Sequence, residues 1–71
     1  MSEPVLHGVV ASFDEYVGLG VVQAGRDAYP FHCTQIADRS RSIEPGTEVS
    51  FVAVPRYKGR VEAYDIQPVH A

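Results

Sequence analysis

The side chains in this 71-residue sequence with the greatest capacity for chemistry are three histidines, a single cysteine, a pair of carboxylates and a short basic run. His32 and Cys33 are adjacent, and an imidazole beside a thiol is the usual start of a metal site or an activated nucleophile. Successive residues of a strand point to opposite faces, so these two are not expected to share one ion. His7 and His70 are too far along the chain to complete a zinc spacing. Asp14 and Glu15 are neighbouring carboxylates in a turn sequence with no partner positioned to make one of them an acid or a base. No Ser/His/Asp or Cys/His arrangement emerges, so an enzyme is the class least expected, and neither metal nor cofactor is expected. Cys33 reads as a small, partly buried hydrophobe. A lone thiol cannot form an intramolecular disulfide, and with no basic or apolar leader in MSEPVLHG and no apolar run near the roughly 20 residues of a membrane span, the expected setting is cytoplasmic, away from any membrane.

The remaining chemistry is that of binding. Arg56, Tyr57, Lys58 and Arg60 place three cations and an aromatic within five residues, a pattern suited to phosphates with a base stacked on the ring. A solvated turn would have the same composition. The whole chain carries 6 Lys+Arg against 9 Asp+Glu, a formal charge of −3, which argues against a polyanion binder working through bulk charge. The distribution is uneven: residues 1 to 35 contain one base, Arg26, whereas Arg39, Arg41, Arg56, Lys58 and Arg60 all follow Ile36.

The elements that must hold these residues are short. VLHGVVASF, Val5 to Phe13, is rich in β-branched residues and has no helical period, so it reads as a strand closed by Asp14 to Tyr16. Gly18 to Ala24 gives a second strand, AGRD a compact turn, and Ala28 to Cys33 its hairpin partner. Pro30 lacks the ladder donor, so this third strand is expected either to be an edge strand or to place the Pro30 nitrogen facing away from its neighbour. From Thr34 to Gly46 the sequence is polar around two apolar anchors, Ile36 and Ile43. TEVSFVAV then alternates Val49, Phe51 and Ala53 against Glu48, Ser50 and Val52, PRYKG bends the chain, and Arg60 to Ile66 makes a fifth strand. Five strands with turns at intervals of roughly 8 to 12 residues and almost no helix describe a small barrel. With roughly 60% of its unfolded surface buried at this size, one domain over residues 1–71 with its core at about 5–67 is expected. Oligonucleotide-binding and SH3-like barrels both satisfy this pattern.

The order of particular residues separates them. Gly8-Val9-Val10, Phe13-Asp14, Gly18-Leu19-Gly20-Val21-Val22, Tyr29 through Ile36, Ile43-Glu44-Pro45-Gly46, Val49-Ser50-Phe51, Lys58-Gly59 and Ala63-Tyr64-Asp65-Ile66 together resemble a bacterial cold-shock domain over about residues 8 to 66. The resemblance implies a five-stranded, Greek-key, antiparallel oligonucleotide-binding barrel that contacts single-stranded RNA or DNA. It also implies a platform of aromatic rings on strands two and three. Most of that platform is replaced. Ser12 stands at the usual tryptophan, Leu19 and Val21 at the phenylalanines of the glycine motif, and Pro30 and Cys33 at those of the third-strand motif. Ala11 and Val17 stand at basic positions. Phe13 and His32 are retained, while Phe31 falls where the family has an inward valine.

Stacking contributes roughly 1–3 kcal/mol per base, so losing four or five rings removes on the order of 5–10 kcal/mol at most, against about 8 kcal/mol for a micromolar complex. Two functions follow. The first is weak single-strand binding through Phe13 and His32 by stacking and through Arg41, Arg56, Tyr57, Lys58 and Arg60. The second is a protein-interaction or homodimer face made of Leu19, Val21 and Pro30 with Phe13 beside them. Gly18 and Gly20 would allow a ligand close to the second strand, but the stronger reading is structural, since a small barrel needs glycine where its strands bend or bulge tightly. A volume change is expected at Tyr64, which is read as packing inward in place of a small residue.

Overall fold

A computed structural model describes residues 4–37 and 42–69, apart from the side chain of Tyr57. Five strands run in the order β1 (Val5–Asp14), β2 (Leu19–Ala24), β3 (Asp27–His32), β4 (Glu48–Pro55) and β5 (Val61–Pro68), with a 3₁₀ turn at Cys33–Gln35 and a tight turn of non-helical backbone at Tyr57–Gly59. They form one antiparallel sheet in the order β3-β2-β1-β4-β5. The sheet curls until β3 packs on β5, and Ile36 bridges to Ile66 across the seam. The expected antiparallel barrel is the observed one.

Alternation explains which side chains fill it. Leu6, Gly8 and Val10 face inward from β1, Val22 from β2, Phe31 from β3, Val49 and Phe51 from β4, and Ala63 and Ile66 from β5. The two isoleucine anchors of the polar segment, Ile36 and Ile43, are buried with them. Phe31 and Phe51 are 2% and 1% exposed, and burying each contributes roughly 1.5–3 kcal/mol. Tyr29 also turns inward, its ring tilted on Phe51 at 5.2 Å.

Two irregularities break the period of two. Val10 pairs with Val22 but Ser12 pairs with Val21, so Ala11 is an extra residue on β1. Ser50 pairs with Gln67 and Val52 with Tyr64, which inserts an extra residue on β5 beside Asp65 at φ 52°. Each bulge changes the face that the following residues occupy. The second corrects the expectation for Tyr64. Ala63 is the buried small residue, and Tyr64 is half-buried on the outer face.

The hairpin between β2 and β3 closes through Gly25 and Arg26, with Ala24 paired to Asp27 and a positive φ at Gly25 alone of the two loop residues, the pattern of a II′ turn. Pro30 fits the ladder as expected. The Cys33 N–H donates to the Gly18 carbonyl at 2.8 Å, so alternation puts Pro30 in a non-hydrogen-bonded pair with Val21, its nitrogen turned away from β2.

Candidate functional site

Residues directly opposite in an antiparallel ladder share a face. Across β1, β2 and β3 the outer rows are therefore Asp14, Leu19, His32 and Ser12, Val21, Pro30, while Phe13, Gly20 and Phe31 form the inner row between them. The inner row needs its glycine. A Cβ on Gly20 would stand 2.5 Å from Phe31 Cζ and 2.8 Å from the Ser12 carbonyl oxygen. Gly18, at φ 77°, likewise faces Cys33, whose Sγ would lie 2.9 Å from an added Cβ. Both glycines are filled by protein packing.

The register also corrects the expected patch. Phe13 does not join Leu19, Val21 and Pro30, because the bulge at Ala11 turns it to the inner face. There it is half-buried and stacked on Phe31, centroids 5.8 Å apart and planes 10° from parallel. Its accessible edge lines a separate recess of about 260 Å³ with Ile43 and Pro45.

Leu19, Val21, Pro30 and His32 do come together. They line an open groove of about 470 Å³ with Ser12, closed by Glu62 of β5 and by Arg60 just before that strand. Leu19 is 49% exposed and Pro30 and His32 are exposed, so the floor is apolar and accessible. The turn leading into it is fixed by the Asp14 carboxylate, whose Oδ1 accepts the N–H groups of Tyr16 at 3.0 Å and Val17 at 3.3 Å.

His32 is the polar group of this floor. It caps the Cys33–Gln35 turn, its Nδ1 accepting the Thr34 N–H at 3.3 Å with Thr34 Oγ1 at 3.0 Å. A backbone N–H only donates, so Nδ1 is the acceptor and the ring proton sits on Nε2, leaving that atom for a ligand. The Cys33 thiol lies 3.9 Å from Nδ1, nearer than strand alternation allows, because the chain leaves the strand at His32 and turns. The thiol itself packs against the core.

The basic run forms a tight connection between β4 and β5. Lys58 and Gly59 have φ of 60° and 77°, and the Arg56 N–H donates to the Arg60 carbonyl, so the two arginines stand opposite each other at its base. Arg60 reaches the groove. Arg56 instead lies over the Tyr64 ring, 5.5 Å from its centroid. Arg41 and the Tyr57 side chain fall outside the described residues. Glu62 and Tyr64 were not among the site residues expected from sequence. The signal that would have found them is period two running into β5 from Arg60, which sets Glu62 and Tyr64 on one face of the strand.

No protein-family model and no curated protein matches the chain. Among solved structures, one described as Drosophila Unr CSD456, a cold-shock-domain protein, superposes with a TM-score of 0.81 at 28% identity over 97% of this chain. The chain spans 28% of the length of that one. Five antiparallel strands, their order and this superposition give the chain a cold-shock-like fold.

Proposed function

We propose that the barrel is a non-enzymatic module that binds single-stranded RNA or DNA weakly, along the groove between β2, β3 and β5. The observation that carries this reading is the groove itself: an apolar floor of exposed Leu19 and Pro30 with half-buried Val21, an imidazole with Nε2–H available, and Arg60 at the wall. The likeness to a cold-shock-domain structure supports it. Bases need an apolar surface to lie on and phosphates need cations beside it, and both are present here in reduced form. Aliphatic side chains contact a base by dispersion and burial but lack the ring-on-ring contribution of roughly 1–3 kcal/mol per base. Binding is therefore micromolar or weaker, and the cations Arg56, Lys58 and Arg60 carry a large share of it.

Titrating fluorescein-labelled single-stranded oligonucleotides with protein, read by anisotropy between about 50 and 200 mM salt, tests this. Three phosphate contacts at about 0.7 each predict a log–log salt slope near −2. Absence of binding at 50 mM salt and high micromolar protein overturns the reading.

The exposure of Leu19 and Pro30 also favours a second reading, a homodimer or protein interface on the same floor. Such an interface is nearly salt-independent. Sedimentation that stays monomeric at high concentration, with no partner lost on changing Leu19 and Val21 to serine, counts against it.

A further inference from the structure

Glu62 and Tyr64 occupy alternate positions on one face of β5, Arg60 immediately precedes the strand, and Arg60 and Glu62 line the groove. Tyr64 is therefore the next outward residue along β5, roughly 7 Å beyond Glu62. It carries a cation on its ring, since the Arg56 guanidinium sits 5.5 Å from its centroid. Arg56 cannot wander far at its backbone either. Its N–H is bonded to the Arg60 carbonyl, and the turn between them is a tight one with two successive positive φ values. A long arginine in a surface loop ordinarily loses much rotamer freedom on fixing a contact. Here both ends of Arg56 are held before any ligand arrives.

We infer that Tyr64 is a positioning residue for anion binding, holding the Arg56 guanidinium as a preformed phosphate contact at the end of the groove along β5. This rests on the single-strand reading above and extends it. The strand's bases lie over Leu19, Val21 and Pro30, its backbone passes Arg60, and the next phosphate meets Arg56. A guanidinium stacked on a ring keeps its N–H edge free for two parallel bonds to phosphate oxygens. Glu62 lines the groove beside Arg60, and its carboxylate disfavours a phosphate next to it, so the anion is directed to the guanidinium groups.

The test uses the same labelled oligonucleotide and compares Tyr64→Leu, Tyr64→Phe, Arg56→Ala and the Tyr64→Leu/Arg56→Ala double variant, with thermal melts of each. Tyr64→Leu keeps an apolar side chain at a half-buried position but removes the ring face. It should weaken binding about three- to tenfold and reduce the salt slope by about 0.7, as Arg56→Ala does, because one phosphate contact is lost. Tyr64→Phe retains the ring and should bind within about twofold of the unmodified protein. The double variant should be no weaker than either single by more than about twofold, since both remove one contact. Binding by Tyr64→Leu equal to that of the unmodified protein, alongside a loss in Arg56→Ala, overturns the positioning role. Unchanged binding in Arg56→Ala overturns the contact itself. Should Tyr64→Leu melt below the assay temperature, Tyr64→Phe and Arg56→Ala still decide: a Phe variant as weak as Arg56→Ala refutes the ring's role. Failure of the unmodified protein to bind any oligonucleotide is a separate result, and it overturns the functional reading together with this one.

Discussion

Gly20 shows how much of the site depends on the absence of one side chain. It lies between Phe13 and Phe31 on the inner row, and those rings stack only because nothing separates them. Alanine there would meet the Phe31 ring and the Ser12 carbonyl together, leaving no single direction in which to yield. Gly20→Ala is expected to destabilise the domain by about 1–3 kcal/mol in denaturant titration, with the Phe31 ring displaced toward the groove floor. At this scale the sequence was legible where residue type alone decides. Cys33 packs as a small hydrophobe, and Pro30 takes a ladder position that needs no donor. Phe13 was not legible, because its face depends on a bulge at Ala11, and alanine has none of the backbone preferences that announce one.

Strands two and three present their outer faces almost independently of the core. Leu19 pairs with Asp14 and His32, and Val21 with Ser12 and Pro30, so larger groups at 19 and 21 extend over the groove without entering the barrel. Leu19→Phe with Val21→Phe should therefore tighten single-strand binding by roughly 1–3 kcal/mol per base stacked, while stability changes by no more than about 0.5 kcal/mol. An anisotropy titration beside a thermal melt reads both; unchanged affinity would mean that bases do not lie on this floor. The strands themselves were legible because β-branched runs alternate cleanly between turn signals, most plainly at Val49 and Phe51. What alternation could not supply was the relation between β5 and the groove. That relation arises from curling the sheet until its first and last strands meet, a non-local event that leaves no local mark at Glu62 or Tyr64.

Over the whole molecule, the −3 charge coexists with a basic connection, since Arg56, Lys58 and Arg60 fall within five residues between β4 and β5 and Arg60 lines the groove. An acidic body with a basic connection orients an approaching polyanion instead of attracting it from all sides, which favours one docking direction at the expense of affinity. The barrel also has a weak line. Ladders join every neighbouring pair from β3 to β5 in sheet order, but between β3 and β5 the described bridges are few: the Ile36–Ile66 pair, the Ala37 N–H on the Ile66 carbonyl at 2.8 Å, and the Asp65 N–H on Gln35 Oε1 at 3.4 Å. Opening of the barrel is expected to begin along this line.

The groove straddles that same line, with Pro30 and His32 contributed from one side and Arg60 and Glu62 from the other. A strand of nucleic acid lying across it is thus a clasp as well as a ligand, joining by its own contacts two walls that the backbone scarcely joins. Saturating oligonucleotide should slow amide exchange at Ala37 and Asp65 beyond the protection it gives to β1 and β4, and raise the melting temperature as occupancy rises. Equal slowing throughout the barrel would mean that the ligand does not hold the walls together. If it does, this domain is at its least stable when empty, and its lifetime in solution becomes a measure of how often it is bound.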